Sequence, residues 1–252
     1  MNNSLKGLVA ASTMVLAGAA NATIVTVFDG ITNGVASFDS TVTGAGSTVG
    51  FDIWAGMSSG VSIDRGDYVI TQNDNGSGGV SSSYGTMSGQ VISINPNYPN
   101  AASHPRTDPM DYFSSGITFT FDSAVNAVGF EVGDWATCCH PETELFMSFD
   151  GGAAIKVASA DTNADGLFPS QVSGANVYEI FVAAFDDTGD FTQVSFWGNG
   201  SGEVLYAGGQ LRYALLDQGS LPPSGSVPEP ATMALFGLGL AGLGYSRKKK
   251  KA

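Results

Sequence analysis

The stretch "ITFTFDSAVNAVGFEVGDW", Ile117 to Trp135, constrains the fold more than any other part of the chain. Ile117, Phe119 and Phe121 alternate with Thr118 and Thr120, and Val128, Phe130 and Val132 alternate in the run that follows. A period of two sends successive side chains to opposite faces, so each run reads as a strand with one apolar face. Similar runs recur in "ELFMSF", in "VYEIFVAAF", which is apolar on both faces, in "QVSFW" with Val194 and Phe196, and in a closing run with Leu211, Tyr213 and Leu215. Turn-forming strings separate them, among them "FDSAVN", "FDGG", "DTNADG", "DDTGD" and "GNGSG". The 34 glycines, with abundant Ser, Thr and Asn, weigh against helices. The pattern predicts an all-β fold, an antiparallel β-sandwich of jelly-roll type in which two sheets bury facing apolar rows.

The two ends of the chain differ from this body. "MNNSLKGLVAASTMVLAGAANA" carries one cation, Lys6, then an apolar stretch from Gly7 to Ala19. Ala20-Asn21-Ala22 follows, which fits a signal peptide of residues 1–22 cut after Ala22, with Ala20 and Ala22 as the small residues read at the cleavage site. The secretory translocon is the partner this implies. At the other end, "VPEPATMALFGLGLAGLGYSRKKKK" joins a Pro-Glu-Pro triplet, a largely apolar run from Ala231 to Tyr245 and a basic cluster, Arg247 to Lys251. Fifteen helical residues span about 22 Å, short of a hydrocarbon core of about 30 Å. The run is therefore a marginal single transmembrane helix, 231–245. Its cations hold the C-terminus on the cytoplasmic side, which leaves the body outside the inner membrane.

The tripartite C-terminus resembles the PEP-CTERM sorting signal of exported Gram-negative bacterial proteins. The resemblance implies that Pro228, Glu229 and Pro230 form the processing motif read by exosortase, a membrane-embedded protease-transpeptidase, with Arg247 and Lys248 opening the basic tail. It implies an inner-membrane intermediate with the body in the periplasm, then a place on the cell surface or in an exopolysaccharide matrix. The run of four lysines departs from the more usual arginine-led cluster. The segment Ile117–Trp135 also resembles a strand pair of lectin-like or galactose-binding-like jelly rolls in exported proteins. The expected organisation is signal peptide 1–22, sandwich body 23–216, a Pro/Gly/Ser linker 217–226 and the sorting signal 227–252.

Charge narrows the partners. The chain holds 10 Lys and Arg against 23 Asp and Glu. Without Lys6, the five tail cations and Glu229, the body keeps 4 cations against 22 acids, a net charge of −18. Such a surface repels phosphate backbones, so nucleic acid is excluded as a partner, and it attracts divalent cations. The candidate cation loop is "DTNADG", where Asp161, Asn163 and Asp165 alternate as calcium ligands do and Gly166 permits the sharp turn. A complete EF-hand loop would end on Glu where Val172 stands. No cofactor is required, and calcium is the one admitted. Asp186, Asp187 and Asp190 are candidates for additional oxygens.

Cys138 and Cys139 are adjacent, and they are the two cysteines of the chain. A vicinal disulfide leads; free thiols, intermolecular pairing or a metal site with His140 and Glu142 are the alternatives. Catalysis finds little support. The two histidines, His104 and His140, lie outside any nucleophile elbow, zinc-protease or phosphate-loop motif. The pair Glu142 and Glu144 is the one carboxylate arrangement suggesting glycoside hydrolysis. Trp54, Tyr84, Tyr98, Tyr112, Trp135 and Trp197 fall near turn-rich stretches where rings can stack on sugars, or can fill the core. The expected function is a non-enzymatic structural or adhesive protein that binds carbohydrate, exopolysaccharide included; a glycan-active hydrolase or a calcium-stabilised adhesin are the alternatives. If calcium fills Asp161, Asn163 and Asp165, a chelator lowers the melting temperature; a vicinal disulfide leaves the unreduced chain lighter by two thiol hydrogens, with no dimer on a non-reducing gel.

Overall fold

The computed structural model describes residues 23–73, 79–94, 109–134, 143–160, 179–198 and 205–221. They form two packed antiparallel sheets. Sheet A runs β1 (Ile24–Asp29), β11 (Ile180–Phe185), β8 (Ala127–Gly133), β13 (Leu205–Ala214), β6 (Val91–Ile94) and β5 (Val80–Ser81), with β2 (Gly50–Ile53) also paired to β13. Sheet B runs β10 (Ile155–Ala160), β9 (Thr143–Phe149), β12 (Phe191–Gly198), β7 (Ile117–Val125), β4 (Tyr68–Gln72) and β3 (Ser62–Asp64). From β6 to β13 the chain visits the sheets in the order A, B, A, B, B, A, B, A. That winding yields the neighbours β6-β13-β8-β11 and β7-β12-β9-β10, which is the double-sheet jelly roll. The remaining strands extend its edges.

The alternation in the sequence appears as expected. Ile117, Phe119 and Phe121 face inward from β7, and Val128, Phe130 and Val132 face them from β8. Asn126 alone links the two strands, so the chain passes from one sheet to the other within a residue. Phe119 and Phe130 then meet with ring centroids 5.4 Å apart, and Phe130 meets Phe196 of β12 at 4.8 Å. The last apolar position differs from expectation. Leu215 is 55% exposed, because β13 ends at Ala214 and the chain turns so that Leu216 packs inward instead.

Helix α1 (Ile31–Gly44) is the element that composition argued against. Its sequence, "ITNGVASFDSTVTG", is rich in Gly and β-branched residues, poor helix formers in isolation. Gly34, Phe38 and Val42 nevertheless line one face and are buried on the outer side of sheet A. Phe38 stacks on Phe185 at 5.1 Å, and Gly34 lies so close to Phe181 that a side chain there would collide with the ring. Tertiary burial, rather than propensity, makes this helix. A short 3₁₀ helix, Pro109–Ser115, does the same for the outer face of sheet B, where Phe113 meets Trp197 edge-on at 5.1 Å. Truncating Phe130→Ala should cost about 3–5 kcal/mol, as expected for an aromatic at the centre of a filled core, measured as a lowered denaturant midpoint at unchanged slope.

Candidate binding face on the outer side of sheet A

Two of the covers on the outer side of sheet A flank the candidate site. Helix α1 covers Ala127, Gly129, Phe181, Ala183 and Phe185. The loop from Ser82 to Gln90, between β5 and β6, covers the next positions along β8, those of Glu131 and Gly133. Carboxylates fasten this loop. Ser88 donates to Glu131 from its backbone N at 2.8 Å and its Oγ at 2.5 Å, and Thr86 N donates to Glu179 Oε1 at 3.1 Å. The other Glu179 oxygen is buried and finds no hydrogen-bond partner among the described residues, which makes this the weaker of the two anchors there. Farther along the loop, Tyr84 stacks on Tyr206 at 4.4 Å and its hydroxyl donates to Asp134 Oδ1 at 2.6 Å.

The open strip beside the loop is floored by β13 and edged by β2. Arg212 and Gln210 point outward from β13, cross-strand from Phe51 and Ile53 of β2. A register shift between Gly208 and Leu211, a β-bulge that takes in Gly209 and Gln210, sets their position; Gly209 has φ +63°, and a side chain on it would collide with the Glu131 carboxylate. One hydrogen-bonded chain runs the width of the strip. Arg212 Nη1 donates to Asp39 Oδ1 of α1 at 2.6 Å, Arg212 Nε donates to Gln210 Oε1 at 3.1 Å, and Gln210 Nε2 donates to Glu131 Oε1 at 2.6 Å. Beside it, Phe51 is 59% and Ile53 49% exposed, and the Arg212 guanidinium lies 5.4 Å from the centre of the Phe51 ring. Burial pushes the Glu131 carboxyl above its usual range, and hydrogen bonds from Ser88 and Gln210 with the nearby Arg212 charge offset this only in part.

A second polar cluster ties the sheets together. Arg65 grips Asp52 with two bonds of 2.7 Å, Tyr68 donates to Asp52 Oδ2 at 2.7 Å, and Trp54 Nε1 donates to the Tyr68 oxygen at 2.7 Å. Burial raises the Asp52 carboxyl, but bonds from Arg65 and Tyr68 outweigh it and hold the group below its usual range. This cluster joins β2 of sheet A to β4 of sheet B, a structural task.

The residues singled out from sequence are placed unevenly. Trp54 and Trp197 are fully buried, which removes them as sugar platforms. Tyr84 is half-buried in the loop cover, and Tyr98, Trp135 and the Tyr112 side chain lie outside the described residues. Glu144 is ion-paired with Lys156, while Glu142, His104 and His140 lie outside the described residues. So do Cys138, Cys139, Asp161, Asn163, Asp165, the cleavage residues Ala20 and Ala22, and Pro228, Glu229, Pro230, Arg247 and Lys248 with the apolar run 231–245. Among the described residues no cluster of three or more acidic, His or Cys side chains is arranged to hold a metal, and no helix is long and apolar enough to cross a membrane. The Asp186 and Asp187 side chains accept bonds from the protein itself. Phe51, Gln210 and Arg212 escaped the sequence reading, since each alternates with its neighbours like any strand residue; only the fold puts β2 against β13.

Fold and site together describe an all-β class of protein: a jelly-roll sandwich with one partly open sheet face. Residues 226–249 match the family described as the PEP-CTERM protein-sorting motif, so the chain carries that sorting signal and is an exported protein. No curated protein matches the chain. Among solved structures it is similar to a family 29 carbohydrate binding module at 9% identity, TM-score 0.33, covering 71% of this chain and 98% of that one. It is similar also to a variant of the module CBM29-2 complexed with cellulohexaose, at 9% identity and TM-score 0.31, covering 69% and 97%.

The two shifted carboxylates have opposite signatures. With its folded value raised, Glu131 contributes stability that is fully present below the unfolded carboxylate value, about 4.3, and lost as pH rises through the folded value. Asp52, with its folded value lowered, contributes above its unfolded value, about 3.9, and loses it as pH falls through the folded value. The stability of the protein relative to Glu131→Gln should therefore be greater at pH 4 than at pH 7, and relative to Asp52→Asn greater at pH 7 than at pH 3, each read from denaturant melts.

Proposed function

We propose that this is a non-catalytic, exosortase-processed surface or matrix protein whose sheet A face binds a neutral polysaccharide. The export assignment rests on the sorting motif at 226–249. In this reading the secretory translocon delivers the chain, the apolar run 231–245 holds it at the inner membrane, and processing at Pro228–Pro230 releases the body toward the surface.

The binding reading is carried by the exposed Phe51 ring beside the Arg212–Gln210 chain. Single apolar residues on a surface are ordinary, but here an aromatic and an aliphatic side chain flank planar polar groups already held in place. Asp39 fixes Arg212, and Glu131 fixes Gln210, so neither has to be ordered when a ligand arrives. A sugar ring offers the matching chemistry, an apolar C–H face for Phe51 and hydroxyls for the remaining N–H groups of the Arg212 guanidinium, which the buried Gln210 amide, bonded to Ser88, Glu131 and Arg212, holds in place. The acidic body disfavours polyanionic glycans, which selects neutral ones. The buried Glu131 is consumed by three hydrogen bonds and Glu144 by Lys156, so neither is positioned as an acid–base partner.

The test uses the chain from Thr23 to Ala252 in mild detergent, with retardation in gels containing neutral polysaccharides. Phe51→Ala should weaken retardation roughly tenfold, the scale of one lost aromatic anchor, with no reducing ends released by any form. Retardation that survives both Phe51→Ala and Arg212→Ala would sink the assignment of this face, and released reducing ends would sink the non-catalytic reading.

A further inference from the structure

The loop between β11 and β12 begins Asp186-Asp187, and both ends of the described chain are attached to it. At the start, Thr23 Oγ1 donates to Asp186 Oδ2 at 2.8 Å. At the end, Leu221 N donates to Asp187 Oδ2 at 2.7 Å and Gly219 N to the Asp187 carbonyl at 2.9 Å. Asn126 fastens the same described segment: its Oδ1 accepts Leu216 N at 2.6 Å, its Nδ2 donates to Leu216 O at 2.9 Å, and its backbone O accepts Asp186 N at 2.8 Å. Leu216 and Leu221 are buried, so residues 215–221 form a strap laid against the sandwich. Entry and exit of the body therefore lie at one pole.

Thr23 is the residue that would become first if the signal peptide is cut after Ala22. Hydrolysis of the Ala22–Thr23 bond consumes water, leaves a carboxylate on Ala22 and frees the Thr23 nitrogen, which at neutral pH takes a proton to become an ammonium. That nitrogen is three covalent bonds from the hydroxyl already bonded to Asp186. We propose that the new Thr23 ammonium docks on the Asp186 carboxylate, so that Asp186 and Asp187 clasp the two ends of the mature body.

The carboxylate has room for it. Oδ1 accepts Thr188 N at 2.9 Å, Thr188 Oγ1 at 2.6 Å and Gly189 N at 3.3 Å, whereas Oδ2 accepts the Thr23 hydroxyl. A carboxylate oxygen has two lone-pair sites, so Oδ2 can take a second donor. Among the described residues the cationic side chains are engaged elsewhere, Arg65 with Asp52, Lys156 with Glu144 and Arg212 with Asp39. Burial raises the Asp186 carboxyl, but bonds from Thr188, Thr23 and Gly189 outweigh it, so the group is ionised at neutral pH. Register makes the fit specific to one cut. Ile24 pairs with Phe185, the residue before Asp186, so a start one residue earlier displaces the charge from the carboxylate.

The inference rests on cleavage after Ala22, and the experiment separates the two. Three forms of the chain ending at Ala252 are compared in one detergent at low salt: free at Thr23, acetylated at Thr23, and beginning with Ala22. The free Thr23 form should melt about 2–4 °C above the other two, the shift that a modest ion pair gives a body of this size. Asp186→Asn should abolish the gap between the free and acetylated forms, a comparison that holds even if the substitution lowers both. Three equal melting temperatures, with protein from the native host starting at Thr23, would overturn the docking alone. A native start at any other residue would overturn the cleavage reading and the docking with it.

Discussion

The two central strands β8 and β11 are buried on both faces and, Glu131 apart, carry only apolar or small side chains, so sheet A cannot leave its outer side to water. One face packs into the shared core around Phe119 and Phe130. The other needs cover, and the chain supplies it from three distant places: helix α1 near the start, the loop from Ser82 to Gln90 in the middle, and the strap from Leu215 to Leu221 at the end. None of these covers is stable alone. Each exists because burying its few apolar side chains against the sheet repays the ordering of its backbone.

Covering a sheet with separate pieces leaves seams, and the polar residues of the outer face lie at them. Glu131 sits where the loop meets the sheet and is tolerated only because backbone and side-chain donors meet it there. Gln210 and Arg212 lie in the gap between loop and helix, held from either side, with Phe51 and Ile53 uncovered at the edge. The candidate face is thus a by-product of incomplete cover that the hydrogen-bond chain has made rigid. The same logic brings the strap and the first residue of β1 to the Asp186-Asp187 loop, where the covers end.

The aromatic residues show how burial decides meaning. Trp54 and Trp197 stood in turn-rich sequence and turned out to be fully enclosed, Trp54 by its bond to Tyr68 and Trp197 beneath Phe113. Phe51 stood in an unremarkable alternation and is the exposed ring. A side chain's neighbours in sequence do not report the depth of the layer it enters, since that depth depends on which distant segment folds over it.

Period-two alternation by itself determined the all-β class, the inward rows of β7, β8 and β12 and the apolar doubling of β11, because strand geometry converts spacing directly into facing. The tripartite C-terminus likewise determined the sorting signal, since its three parts are contiguous and act through local composition. Only the tertiary structure decided that "ITNGVASFDSTVTG" is helical, that β2 lies beside β13, and that Asp186 and Asp187 hold Thr23 and Leu221, the first and last of the described residues. Those outcomes depend on contacts between residues far apart in sequence, where the free energy comes from surfaces that exist only once both sheets have formed.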